Sequence, residues 1–149
     1  MFITFEGIEG CGKSTQIALL ATALQQAGQR VLLTREPGGC PIADQIRGIL
    51  LDAANTALVP MSELMLYAAS RAQHLAEVVS PALAEGVIVL CDRFSDATRA
   101  YQSFGRAIDR QVIEALNSLA CDGISPDLTV LLDCPVETGL GRARQRIDS

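Results

Sequence analysis

Residues Gly7-Ile8-Glu9-Gly10-Cys11-Gly12-Lys13-Ser14 fit the pattern G-x-x-x-x-G-K-[ST]. An apolar extended run, Met1 to Phe5, precedes them, and a helical run, Thr15-Gln16-Ile17-Ala18-Leu19-Leu20, follows. Strand, loop and helix in that order are the context in which such a loop wraps an anion. Glycines let successive backbone N–H groups turn inward, where a Cβ would interfere. The helix adds the positive end of its dipole. Lys13 has the length to reach β- and γ-phosphates, and the Ser14 hydroxyl suits Mg²⁺. A glycine-rich turn with a merely solvated lysine is the competing reading, and the agreement of spacing, strand and helix disfavours it. The loop points to a nucleoside triphosphate and leaves the second substrate open.

The chain has 149 residues, of which 49% are hydrophobic and 19% charged, enough for one domain with a real core. A net charge of -5 speaks against a broad basic surface for nucleic acid, so any phosphate must be met by local arginines. Five cysteines, Cys11, Cys40, Cys91, Cys121 and Cys134, are odd in number and form no C-x-x-C pair. That usage fits a reducing compartment. No signal peptide and no membrane-length apolar run is visible, so a cytoplasmic location without membrane attachment is expected.

Apolar runs alternate with helical patterns along the chain. Strands are expected at about 2–6, 30–34, 87–91 and 128–132, and helices at about 13–27, 42–51, 60–79 and 108–119, with a last helix from Pro135 onward. Pro81 should mark a bend or break at the end of the third of these helices. Residues 95–106 read as a loop or short helix. Continuous apolar strands alternating with helices predict an α/β fold of three layers, a parallel sheet with helices on both faces, of the P-loop NTPase type. Ligands in such sheets sit beyond the carboxyl ends of the strands, so the loops after Phe5, Thr34 and Cys91 should converge there. The arginine-rich stretch 139–146 ends without a closing strand or docking helix. The expectation is a single domain over 1–149, cut short near a lid.

Asp92 ends the third apolar strand, where a phosphate-loop enzyme places a carboxylate near Mg²⁺; it could equally cap the next turn. Arg93, at the same tip, offers a planar fork for phosphate oxygens. Arg142, Arg144 and Arg146 read either as a solvated basic face or as a lid that closes on the γ-phosphate. Tyr67 and Arg71 are one helical turn apart, a pair able to stack a base and bond its edge. Tyr101 and Gln102 lie beyond Arg93 and suit a sugar and a base. His74 stands alone and reads as structural.

Together, Phe5 to Thr15, Thr34-Arg35-Glu36-Pro37-Gly38-Gly39, Tyr67-Ala68-Ala69-Ser70-Arg71, Asp92-Arg93-Phe94, Ala100-Tyr101-Gln102 and Pro126-Asp127-Leu128-Thr129 resemble the thymidylate kinases. The resemblance implies phosphorylation of dTMP by ATP with Mg²⁺, in a homodimer. It implies that Gly7, Ile8, Glu9, Gly10, Cys11, Gly12, Lys13, Ser14 and Thr15 hold ATP, with Ser14 and Asp92 at Mg²⁺, directly or through water. Glu9 would lie near the deoxyribose 3′-hydroxyl. Tyr67, where the family usually has Phe, would stack on thymine, Arg71 would meet its O4 and Thr98 its N3. Tyr101 would crowd the 2′ position, with Gln102 beside it. Arg93 and Arg47 would hold the acceptor phosphate in a pocket shaped by Glu36 and Pro37, a proline typically cis in the family. The phosphate loop carries Gly10 and no Arg, which resembles the bacterial type that draws its catalytic arginine from the lid, here Arg142, Arg144 or Arg146. Arg99 stands where a Gln is frequent, and family members continue past the lid with a further strand and helices. The alternatives are a kinase for another nucleotide or deoxynucleoside, a nucleotide-dependent switch without a small acceptor, and a chain that binds dTMP without turnover.

Overall fold

Four short strands, β1 (Phe2–Glu6), β2 (Val31–Arg35), β3 (Ile88–Asp92) and β4 (Leu128–Leu131), pair in parallel in the order β2-β3-β1-β4. In this computed structural model, residues 1–147 are described, except for the side chains of Phe104, Arg144, Arg146 and Ile147. The helices are α1 (Lys13–Gln26), α2 (Pro41–Leu51), α3 (Pro60–His74), α4 (Ser80–Ala84), α5 (Ser95–Thr98), α6 (Arg110–Cys121) and α7 (Val136–Ile147).

Alternation along the inner strands builds two cores. Phe2, Val89 and Cys91 face one side, with Leu75, Val79 and Phe94 against them and Leu83 and Cys121 at the margin. Ile3, Phe5 and Leu90 face the other and pack on Ile17 and Ala21 of α1. Each fully buried aliphatic or Phe side chain contributes about 1.5–3 kcal/mol, which explains why β1 tolerates no exposed position. The sheet is covered on both faces, as its sequence pattern requires.

The differences from expectation are local. β2 and β3 each run one residue further, to Arg35 and Asp92, because these two residues face each other across the ladder and Asp92 also pairs with Phe5. Pro81 does not break its helix. A π-helical stretch, Leu75–Val79, joins α3 to α4, and Pro81 falls in the first turn of α4, where its missing N–H is not needed. Residues 95–105 are helical, α5 continuing as π-helical Arg99–Gly105. α6 starts later than predicted because the Asp109 carboxylate accepts from Gln111 N at 2.8 Å and caps it.

Candidate active site

The strand register assembles the site. Phe5 and Arg35 both face Asp92, from opposite sides, so the chain leaves the sheet side by side after β1, β2 and β3. The three predicted loops therefore meet at one edge.

The first half is the phosphate loop. Gly12 caps α1 with φ +98°, a left-handed conformation that favours glycine. Lys13 is buried, and its Nζ donates to the carbonyls of Gly7 and Ile8, both at 2.9 Å, with Cys11 Sγ at 3.7 Å. The lysine thus spans the loop as a positive floor. Ser14 Oγ donates to Asp92 Oδ2 at 3.4 Å, while Asp92 Oδ1 is buried without a partner among the described residues. A cavity of about 280 Å³ opens here, lined by Glu9, Gly10, Gly12, Lys13, Ser14, Arg35, Glu36, Arg47, Asp92 and Arg93. Gly10 has φ +73°, and a Cβ there would collide with the Gly139 carbonyl of α7; a Cβ on Gly139 would meet Glu9 O at 2.6 Å. Helix α7 thus rests on the loop, glycine against glycine. Arg142 is exposed one turn along α7 and lines neither cavity, and Thr15 is exposed on α1 outside the lining. The side chains of Arg144 and Arg146 lie outside the described residues.

The second half is a cavity of about 250 Å³ lined by Glu9, Glu36, Pro37, Arg47, Leu51, Tyr67, Arg71, Arg93, Phe94, Ala97, Thr98, Tyr101 and Gln102. Every residue predicted for the acceptor is among them. Arg71 is 2% exposed and spends its guanidinium on three partners: Nε on Glu36 Oε2 at 2.8 Å, Nη1 on Asn117 Oδ1 at 2.6 Å and Nη2 on Thr98 Oγ1 at 2.9 Å. It also lies 5.1 Å from the Phe94 ring centroid. The second Glu36 oxygen meets His74 Nδ1 at 3.1 Å, and His74 Nε2 meets Thr34 Oγ1 at 2.6 Å. His74, fully buried, is structural as expected. The Glu36–Pro37 peptide is cis, and Arg47 Nη1 donates to Pro37 O at 2.8 Å.

Arg93 has φ +72°. Its Nη1 donates to Tyr101 Oη and its Nη2 to Glu9 Oε2, both at 3.3 Å, and its guanidinium lies 5.5 Å from the Tyr101 ring centroid. Burial works against its charge, but Tyr101, Glu9 and Asp92 together hold the guanidinium above its ordinary pKa. Burial, helped by Glu63, pushes the Tyr67 phenol up, so that ring stays neutral and apolar in the pocket. Gln102 Nε2 donates to Glu63 Oε1 at 3.0 Å, and the buried Gln102 Oε1 has no partner among the described residues.

Sequence reasoning missed Asn117, which orients Arg71 from α6, and Phe94, on which Arg71 stacks. It also missed Arg35, which lines the loop cavity while pairing with Asp44 at 3.1 Å. Asn117 carries one faint signal, a polar residue on the buried face of an amphipathic helix. Arg99, the unusual residue, is tied to Glu114 at 2.8 Å and Asp96 at 2.6 Å and lines neither cavity.

Comparison with known proteins identifies the family. A family model described as Thymidylate kinase matches residues 5–148. The chain is 95% identical over 149 residues to a thymidylate kinase of Trichlorobacter lovleyi, covering all of this chain and 70% of that protein. It is 68% identical over 148 residues to one of Geobacter sulfurreducens, covering 99% and 70%. A crystal structure of thymidylate kinase from Ehrlichia chaffeensis is similar with a TM-score of 0.84 at 41% identity, over 99% of this chain and 79% of that one. The family model over most of the chain, the identity to these relatives and the similarity of fold converge, and the chain belongs to the thymidylate kinase family.

Proposed function

We infer that this chain phosphorylates dTMP to dTDP, with ATP as the phosphoryl donor. Family membership supports the reaction. The assignment of roles to residues rests on one observation: the two cavities share Glu9, Glu36, Arg47 and Arg93. Two phosphorylated nucleotides entering from the two sides would meet at those residues.

A dTMP phosphate oxygen attacks the γ-phosphorus in line as the bond to the β-bridging oxygen breaks. The acceptor is already ionised, so no strong base is required. Positioning and charge neutralisation carry the rate. Lys13 faces the β- and γ-oxygens, Arg93 and Arg47 hold the acceptor phosphate, and Glu9 restrains Arg93 and reaches toward the deoxyribose. Tyr67 covers one face of the pyrimidine, Arg71 and Thr98 bond its edge, Gln102 Oε1 offers an acceptor, and Tyr101 guards the sugar. Arg142, Arg144 and Arg146 are the proposed lid arginines.

The residues fit Mg²⁺. Asp92 Oδ1 is a buried oxygen without a partner among the described residues, and Ser14 Oγ lies against the same carboxylate. When bound, Mg²⁺ neutralises charge on the β- and γ-oxygens; Ser14 and Asp92 would hold it, directly or through water. The reading includes a single domain, a homodimer and a cytoplasmic location without nucleic acid. Exposed Met61 and Met65 on α3 support the dimer. The charge of -5 speaks against nucleic acid, and the five free cysteines support a reducing compartment. No helix among the described residues is long and apolar enough to cross a membrane.

Calorimetric titration of dTMP beside a coupled ADP assay, with dTMP, dUMP, dCMP and AMP offered in turn, tests the reading. The expected result is dTMP binding and ADP release fastest with dTMP. Slow ATP hydrolysis that dTMP leaves unchanged would instead indicate a switch. Binding without ADP release would limit the chain to recognition.

A further inference from the structure

Glu6 is the last residue of β1, a strand otherwise composed of Phe2, Ile3, Thr4 and Phe5. It is 6% exposed, and no ion pair engages it among the described residues. Its Oε1 accepts the Phe94 N–H at 2.8 Å. The adjoining Arg93 N–H goes to Phe5 O at 2.9 Å. Two successive residues of β1 therefore receive two successive N–H groups from the tip of β3.

That tip needs holding. Arg93 has φ +72°, a backbone region that a non-glycine residue occupies only under constraint. The turn decides two things at once. It sends the Arg93 side chain toward Glu9 and Tyr101. It also seats the buried Phe94 ring edge-on to Phe2 at 5.1 Å and beneath the Arg71 guanidinium. An extended Arg93 would misdirect the guanidinium groups of Arg93 and Arg71, two of the three that line the acceptor cavity.

We propose that Glu6 is a positioning residue for the acceptor half of the site, its buried carboxyl group locking the Arg93–Phe94 turn that aims Arg93 and supports Arg71. The role rests on the reading of Arg93 as the ligand of the acceptor phosphate. Burial pushes this carboxyl up to about 7; the Phe94 and Ala97 N–H groups and Arg93 pull it down and Asp96 pushes it further up. Both protonation forms present an acceptor oxygen to Phe94, so the role requires an acceptor and not a charge. The phosphate loop is held separately, through sheet bonds such as Leu132 N to Glu6 O at 2.9 Å.

Glu6→Ala and Glu6→Gln, made in the full chain, separate this from a general structural role. Titration with dTMP should show binding about tenfold weaker in Glu6→Ala, the worth of one buried hydrogen bond, and within about threefold of wild type in Glu6→Gln. A non-hydrolysable ATP analogue should bind all three within about twofold, because the loop keeps its sheet bonds. Unchanged dTMP binding in Glu6→Ala, or equal weakening toward both nucleotides, overturns the proposal. Should Glu6→Ala fail to fold, the Phe94 amide proton decides. It should be protected from solvent exchange in wild type and about equally in Glu6→Gln, because both offer it an acceptor oxygen. A Phe94 amide that exchanges freely in wild type overturns the proposal. A wild-type protein whose Phe94 amide is protected but which binds no dTMP removes the reading of Arg93, and this role of Glu6 falls with it while the hydrogen bond stands.

Discussion

The phosphate loop is one unbroken stretch, and most of what it offers a ligand is backbone. The acceptor pocket draws its lining from the loop after β2, from α2, α3 and α5, from the β3 tip and from the π-helical stretch beyond it, and it works through side chains. The loop's cation is braced by carbonyls within its own stretch, Gly7 and Ile8. The pocket's buried cation, Arg71, depends on Glu36, Thr98 and Asn117, which come from three other segments. The difference teaches where each half is vulnerable. A backbone cradle is damaged by substitutions within it. A side-chain pocket is damaged from a distance, and selectively, because each guanidinium must be both placed and paired.

The largest expected effects lie at one cation from each half. Lys13→Ala and Arg93→Ala should each lower turnover about 100- to 1000-fold, as the loss of one preorganised charge donor typically does. The first should also weaken ATP, the second dTMP. Near-normal turnover of either in the coupled ADP assay rejects the assigned role.

Glu6 supplies the next test, through pH. Its folded-state pKa is raised from 4.5 to about 7, so the folded protein holds this proton more tightly than the unfolded chain. The associated stability is fully present below pH 4.5 and is lost as pH rises through about 7. Glu6→Gln, which never ionises, should therefore gain on the order of 3 kcal/mol over wild type between pH 5 and pH 8, at about 1.4 kcal/mol for each tenfold change in proton affinity. Thermal melts across that range check it, and parallel profiles contradict it.

Asn117→Ala sharpens the contrast between the halves. It leaves a buried Arg71 N–H unpaired, a cost of about 1.5–3 kcal/mol for a charged donor. Weaker dTMP binding with unchanged ATP binding is expected by calorimetry, although Asn117 lines neither cavity. Equal weakening of both would erase the distinction. The smallest effect belongs to Arg99→Gln, which breaks half-exposed ion pairs with Glu114 and Asp96 and should cost less than about 1 kcal/mol. Its kinetic constants should stay within about twofold of wild type.

Legibility followed the same division. The phosphate loop was plain because its ligands are neighbours in the chain and its glycines answer to a local backbone requirement. The four strands and both helical layers were plain because burial on two faces imposes continuous apolar runs. The acceptor residues were legible as a set only through resemblance, since Arg47, Tyr67, Thr98 and Tyr101 share no periodicity that would group them. Asn117 and Glu6 carried almost no signal: one is a single polar residue on a helix, the other a carboxylate beside a glycine-rich turn. Helix ends were missed where a local competitor acted, as with the Asp109 cap and the π-helical stretch ahead of Pro81.

Contact between near neighbours is written in residue order, so the anion cradle, the strand count and the parallel arrangement could be read before any coordinates. Which tips face each other could not. That depended on β3 entering between β1 and β2, which sets Phe5 and Arg35 on either side of Asp92 and turns distant loops into one cleft. The strained turn at Arg93 and the threefold pairing of Arg71 exist only once those strands have docked, because the groups that stabilise them reach the site from separate parts of the chain.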